Sequence, residues 1–264
     1  MEADHETVRL VRNGPVVTVL LNRPKRRNGL TGPMMAALHE ALTCISIDPS
    51  IHVVVFRGEG ADFCPGADVK HVASGEAASA EGRGWSNLAE FNVSVLLHEM
   101  RAVTIAAIRG ACAGAGLTMA SACDLRVSSD TARFNTAFLD VGIAGDMGGP
   151  WTLPRILGAA KARELYFLPG KFDAAEALRI GLVSRVSSDE AFEADLAALT
   201  DRLARSAPLA LTAMKANFLA AEKMGFADYI ALESEKHSRL FRSEDTGEAF
   251  RAFVEKRAPV FRGR

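Results

Sequence analysis

The sequence predicts an α/β core followed by an all-helical C-terminal module, and three observations carry that prediction. Short β-branched runs at residues 53–56 and 103–108 alternate with stretches of helical periodicity as far as about Val186. A glycine-rich turn, Gly110-Ala111-Cys112-Ala113-Gly114-Ala115-Gly116, joins the second run to a small-residue helix. From about Glu190 the pattern is almost purely helical. The core is therefore assigned to residues 1–189 and the helical module to residues 190–264.

Residues 8–11 and 16–21, separated by Arg12-Asn13-Gly14-Pro15, read as a β-hairpin. A basic loop, residues 22–29, contains Lys25-Arg26-Arg27. Pro33 opens a helix through about Ser46, with Met34, Leu38, Ala41, Leu42 and Ile45 on one face. Residues 53–56 are a strand buried on both sides, closed by the turn Arg57-Gly58-Glu59-Gly60. In the next loop, Phe63 to Lys70, Asp68 is a plausible N-cap for the succeeding segment. Residues 74–84, rich in Ala, Gly, Ser and Glu, read as a mobile surface segment. A helix at 85–100 and a strand at 103–108 lead into the glycine-rich turn. A helix at 117–122, a strand at 125–128, helices at 159–167 and 174–180 and a strand at 182–186 complete the core. Helices at 191–206, 209–224, 227–240 and 245–256 make the tail, whose Leu, Phe and Met content points to oligomer contact.

Bulk properties narrow the function. A chain of 264 residues buries roughly three quarters of its unfolded surface, so neither disulfides nor metals are needed for stability. The net charge of −1 predicts no general affinity for nucleic acid or an anionic membrane. Cys44, Cys64, Cys112 and Cys123 form no CxxC and no metal-ligand spacing with histidine, so free thiols in a reducing cytosol are expected. The acidic opening Met1-Glu2-Ala3-Asp4-His5-Glu6 is unlike a signal or transit peptide, and no apolar run approaches the ~20 residues of a membrane span. A cytoplasmic enzyme without metal is the expectation.

Two features carry chemistry. The glycine-rich turn can present bare backbone N–H groups to a substrate oxygen, and Gly145-Asp146-Met147-Gly148-Gly149 places one carboxylate on a tight turn among apolar neighbours. Together they suggest enolate chemistry on a carbonyl compound. A helix-packing turn is the plainer reading of the glycines. A nucleotide-phosphate loop fits poorly, because no Lys-Ser/Thr pair follows Gly116. For Asp146 the plainer reading is a helix N-cap, which would lower its pKa and weaken it as a base.

Four blocks resemble the crotonase (enoyl-CoA hydratase/isomerase) superfamily, in order and at that family's spacing. They are Leu21-Asn22-Arg23-Pro24-Lys25, Pro65-Gly66-Ala67-Asp68-Val69-Lys70, residues 110–124 and residues 134–149. The ending Ala252-Phe253-Val254-Glu255-Lys256-Arg257 is similar to the family's C-terminal helix. The resemblance implies a spiral of ββα units with a C-terminal helical trimerisation module, assembling as a homotrimer or dimer of trimers. It implies acyl-CoA substrates, with coenzyme A as part of the substrate and no permanently bound cofactor. It also implies an oxyanion hole formed by the N–H groups of Ala67 and Ala115, each worth ~3–4 kcal/mol in a dry site.

The two glutamates of the hydratases fall here on Thr118 and Phe138, neither of which serves as a general acid or base at neutral pH. The remaining carboxylate is Asp146. The block from Val141 to Gly149 resembles the dienoyl-CoA isomerase and, more closely and as far as Arg155, the isomerase of bacterial phenylacetate degradation, both with a catalytic aspartate at the matching position. That implies isomerisation with Asp146 as single proton shuttle, in a pocket walled by Thr118, Phe138, Ile143 and Met147, whose apolar members raise its pKa. A hydratase using Asp146 alone and a catalytically silent acyl-CoA-binding trimer remain open. Asp140 and Asp124 are expected in structural roles. The resemblance further implies that Lys25, Arg26, Arg27, Pro65, Ala67 and Asp68 bind coenzyme A, and that Phe253 and Lys256 reach into the neighbouring subunit's site.

Overall fold

The computed structural model describes residues 7–68 and 88–264. The expectations for Val69 and Lys70, for the segment 74–84 and for residues 85–87 of the predicted helix lie outside the described residues. Strands β1 (Val8–Asn13) and β2 (Val16–Leu21) form the expected hairpin, turning at Gly14 with φ +57°. Helix α1 (Gly32–Ile47) then crosses to β3 (Val53–Gly58), and α2 (Leu88–Glu99) precedes β4 (Val103–Ile108). A short β5 (Ala111–Ala113) leads into α3 (Ala115–Ala122), followed by β6 (Leu125–Ser129) and β7 (Arg133–Asn135). Helices α4 (Gly149–Leu157) and α5 (Ala159–Phe167), strand β8 (Phe172–Asp173), helix α6 (Ala174–Arg179) and strand β9 (Arg185–Ser187) complete the strand-bearing part. The tail is α7 (Phe192–Ala204), α8 (Pro208–Ala221), α9 (Phe226–Leu240) and α10 (Glu244–Glu255).

The main sheet has the order β1-β2-β3-β4-β6-β9 and is parallel except for its first pair. Side chains alternate across it. Val54 and Phe56 of β3 and Ala106 and Ile108 of β4 join the large core with Leu38 and Leu42 of α1. Val53, Val55, Ile105, Ala107 and Val127 face the other way and pack on Phe192, Leu196 and Leu199 of α7. Strands covered on both faces are continuous apolar runs for this reason. A second sheet, β5-β7-β8, sits beside the first.

Several elements went unread in the sequence or moved. Strands β5, β7 and β8 are only two or three residues long, too short for a period to register. Helix α4 carries Pro150 in its first turn and Pro154 inside, both of which read as breakers. The strand expected at 182–186 begins only at Arg185. Leu182 and Val183 are buried, but they form the turn after α6, with both N–H groups donating to the Ala177 carbonyl and Gly181 at φ +82°. Apolar character there fills the core without making a strand.

The change at residues 189 and 190 is one of secondary structure, while packing runs across it. Besides α7, Lys215 of α8 is buried and reaches back to Asp124 at 2.7 Å and to the Ala102 carbonyl at 2.9 Å. Asp124 also accepts from the Thr104 N–H at 2.7 Å and its hydroxyl at 3.0 Å, the packing role expected of it. Among the described residues, no helix is long and apolar enough to cross a membrane. Replacing Lys215 by Ala strips the cation from this pair and leaves a partly buried carboxylate, so we expect a loss of about 3 kcal/mol. A lowered urea midpoint at unchanged slope checks it.

Candidate active site

The segment 63–66 lies alongside β5. The Cys64 N–H donates to the Ala111 carbonyl at 2.8 Å, and the Ala113 N–H returns to the Cys64 carbonyl at 3.0 Å. Gly66, at φ +94°, then turns the chain so tightly that a Cβ there would stand 3.4 Å from the Ala115 nitrogen. This brings the Ala67 N–H beside the Ala115 N–H, the first of α3, where Gly114 at φ +50° starts the helix. Neither N–H donates to another described residue. Two free backbone donors on neighbouring turns, one at a helix N-terminus, are what a developing oxyanion needs. Gly116 allows the approach, since a Cβ at that position would collide with the Cys64 carbonyl oxygen.

Asp146 faces this turn from the segment before α4. Gly145, Met147 and Gly148 all have positive φ (+125°, +48° and +82°), and the Gly149 N–H donates to the Asp146 carbonyl at 3.2 Å. The Asp146 carboxylate accepts one weak bond, from the Thr118 hydroxyl at 3.3 Å. Thr118 lies three residues along α3 from Ala115, so one helix links the oxyanion turn to the acid. Asp146 caps nothing: the N-cap of α4 is Gly148, and no side chain caps that helix. Burial therefore governs its charge and pushes its pKa up to about 6, with the Thr118 bond opposing weakly.

Phe138 and Met147 are buried, and Phe138 touches the position of Gly114. Ile143 is 53% exposed, so the desolvation expected from it is not found. Thr118 and Phe138, the positions matched to the hydratase glutamates, both border the site without adding an ionisable group. The Cys64 thiol, buried and under the field of Asp146, is pushed up to about 12 and stays neutral. The four cysteines are free.

The basic loop abuts the oxyanion segment through two bonds, Leu30 N–H to the Gly66 carbonyl and Asp68 N–H to the Leu30 carbonyl. Lys25 and Arg26 are exposed and make no ion pair with a described residue. Arg27 departs from expectation: two of its guanidinium donors are bound by Asp62, at 2.7 and 3.0 Å, and Asp62 also holds the Ala111 N–H. Asp68 likewise pairs with Arg23 at 3.0 Å. These two residues brace the loops, because the local carboxylate and guanidinium find each other before any ligand does. Pro65 is half-buried at the same turn, and Phe253 (84% exposed) and Lys256 lie at the end of α10. Asp140, expected in a structural hydrogen bond, is exposed and makes none with a described residue.

Sequence reasoning missed three residues. Asn28, fully buried at φ +62°, ties the loop to the Glu59 and Asp62 carbonyls and accepts from the Arg23 N–H; the Asn28-Gly29 pair was its only signal. Gly149 has no room for a Cβ, which would collide with the Tyr166 hydroxyl and the Thr118 methyl. Tyr166 of α5 stacks on Phe138, ring centroids 5.9 Å apart, with its hydroxyl buried and unbonded. No group of three metal-ligating side chains occurs among the described residues.

Two free amide donors near one desolvated carboxylate make a candidate acid/base site for a carbonyl-bearing substrate on an α/β scaffold. The chain belongs to the enoyl-CoA hydratase/isomerase family, whose model matches residues 12–264. It is 35% identical to the carnitinyl-CoA dehydratase of Salmonella typhi over 98% of this chain and 99% of that protein. Among solved structures, a putative enoyl-CoA hydratase from Streptomyces coelicolor A3(2) is 33% identical with a TM-score of 0.91, covering 99% of this chain and 96% of that one. An enoyl-CoA hydratase/carnithine racemase from Magnetospirillum magneticum is 35% identical with a TM-score of 0.87, covering 99% and 97%. The expected crotonase fold is thereby confirmed. The finer likeness to single-aspartate isomerases rests on the residues of the Asp146 turn.

The raised pKa has a consequence for stability. The folded chain holds the Asp146 proton up to about 6, above the ordinary carboxylate value that the unfolded chain retains. The native state therefore binds more protons between those values, and stability falls as pH rises through that window. Asp146→Asn abolishes this loss, so the variant should exceed the parent by about 1–3 kcal/mol at pH 7 and match it near pH 3. Denaturant melts at the two pH values decide it.

Proposed function

We propose that the protein is an enoyl-CoA double-bond isomerase with Asp146 as its only acid/base. The thioester oxygen accepts from the Ala67 and Ala115 N–H groups. Asp146 removes a proton from one carbon, the dienolate charge rests on those amides, and the same acid returns the proton two carbons further along. The observation that carries this reading is the lone carboxylate, desolvated to a pKa of about 6, beside a position where Phe138 supplies no second acid. One group that gives back the proton it took needs no partner.

Exposed Lys25 and Arg26 would meet the phosphates of coenzyme A, while Arg27 and Asp68 hold the loops that position them. Phe253 and Lys256 would complete a neighbouring subunit's site in a homotrimer or dimer of trimers, for which the exposed Phe241, Phe250, Phe253 and Val254 offer an apolar surface. A second reading, addition or removal of water with Asp146 alone, is favoured by the names of the dehydratase relatives.

Product masses separate the two. Incubated with 2-enoyl- and 3-enoyl-CoA thioesters, an isomerase yields products of unchanged mass, whereas a gain of one water establishes the second reading. kcat/KM should rise with pH and level off above about 6, the ionised aspartate being the base. Asp146→Asn should lower kcat about 10²–10⁴-fold. Unchanged turnover in that variant would overturn both readings.

A further inference from the structure

The hydrogen bonds around Asp146 leave one group over and one group short. Thr118 has a single hydroxyl proton and three acceptors within reach: the Ala115 carbonyl at 3.1 Å, the Gly114 carbonyl at 3.2 Å and the Asp146 carboxylate at 3.3 Å. The two carbonyls of its own helix turn are nearer, so the ionised carboxylate receives at best a share of that proton. No cationic side chain among the described residues bears on Asp146. Close by, the Tyr166 hydroxyl is buried with no hydrogen-bond partner among the described residues. Such an unpaired donor is costly, and native structures rarely keep one without a use.

The two lie in one cluster. The Tyr166 hydroxyl occupies the space that a Gly149 side chain would take, against the Thr118 methyl. Its ring edge packs 3.4 Å from where a Gly145 Cβ would stand, one residue before the acid. Phe138 stacks on the ring face at an interplanar angle of 12° and so fixes where the hydroxyl points. Burial, with the charge of Asp146 as the lesser cause, pushes the phenol up and keeps its proton on. Among the described residues, the titratable groups around Asp146 are Tyr166 from α5 and Cys64 from the loop beside β5, both neutral, while α3 contributes only Thr118.

We propose that Tyr166 is a positioning residue for Asp146, its phenolic hydroxyl donating to the carboxylate when the acid is ionised and accepting from it once the proton has been taken up. The structure draws no bond between them; the proposal needs the Asp146 side chain to turn toward the phenol. A hydroxyl is suited to this because it is donor and acceptor at once, whereas an amide N–H or a carbonyl would hold only one of the two states. Thr118 cannot do both, since its proton belongs to its helix. The proposal rests on the reading of Asp146 as the proton carrier.

The test is Tyr166→Phe, which removes one oxygen and keeps the ring stacked on Phe138. The Asp146 carboxyl is followed by ¹³C NMR across pH 4–9 in the intact protein, with Asp146→Asn assigning its signal. The expected result is an apparent pKa raised by about half a unit or more in the Phe variant, because the ionised carboxylate loses a charge-assisted bond stronger than the one the neutral acid loses. Its kcat on the preferred enoyl-CoA at pH 7 should fall about tenfold with KM nearly unchanged. The thermal midpoint should stay well above the assay temperature, so that the fall in kcat is not unfolding. An unmoved titration overturns the proposal, as does a fall in kcat explained by a lowered melting temperature. The titration needs no substrate, so a shifted carboxyl in a protein that turns over no enoyl-CoA would sustain the pairing while refuting the proposed reaction.

Discussion

The site depends on a near-zero clearance between two pieces of backbone. The 63–66 segment and the Gly114–Gly116 turn approach until no side chain fits between them, with glycines at 66 and 116 where any Cβ would crowd or collide. That contact sets two N–H groups side by side at a helix N-terminus, and ladder bonds to β5 hold it. Everything behind it serves that contact. Asn28, buried and left-handed, locks the 22–29 loop to the Glu59 and Asp62 carbonyls, and Asp62 in turn holds the Ala111 N–H at the start of β5. In the proposed reaction these two donors serve as the oxyanion hole, ordered before any charge develops.

Against this rigid half, the acid stands on a stretch whose backbone is unusual at three of four residues, 145 to 148, one of them the non-glycine Met147. A left-handed methionine is strained, and such strain persists where surrounding packing imposes it. Met147 is buried, which supplies the packing. The result is a carboxylate that neither caps α4 nor meets a cation among the described residues. Its one bond, from Thr118, is long, so burial is left to set its affinity for a proton.

The long parallel strands, the tail helices and the glycine turn were legible in the sequence because each leaves a pattern of several residues: buried β-branched runs, helical periods, spaced glycines. What escaped was of two kinds. Strands β5, β7 and β8 are too short to have a period, and α4 hides behind two prolines. The other kind is partnership. Nothing in the string Lys25-Arg26-Arg27 says that the third cation is taken by Asp62 thirty-five residues away, while the first two face solvent. Asp146 was found as the remaining acid, yet its freedom from capping duty is a property of Gly148's position in space. Tyr166 carried no signal, since a tyrosine on an amphipathic helix reads as core.

The substitutions at 118 and 138 gain a physical sense from the electrostatics of Asp146. Two glutamates at those positions would crowd three carboxylates into one desolvated volume, and like charges so placed cannot all ionise. Their protons would then be shared, and none of the three would be a well-defined base near neutral pH. With a threonine and a phenylalanine instead, the described neighbours of Asp146 are neutral, and burial, opposed weakly by Thr118, brings its pKa to about 6. Near neutrality such a group is ionised often enough to take a proton and basic enough to hold it, which a carboxylate at its ordinary value is not. Phe138 does more than withhold a charge, for it presents the flat face on which Tyr166 stacks. Losing the second acid and placing the phenol are consequences of the same side chain.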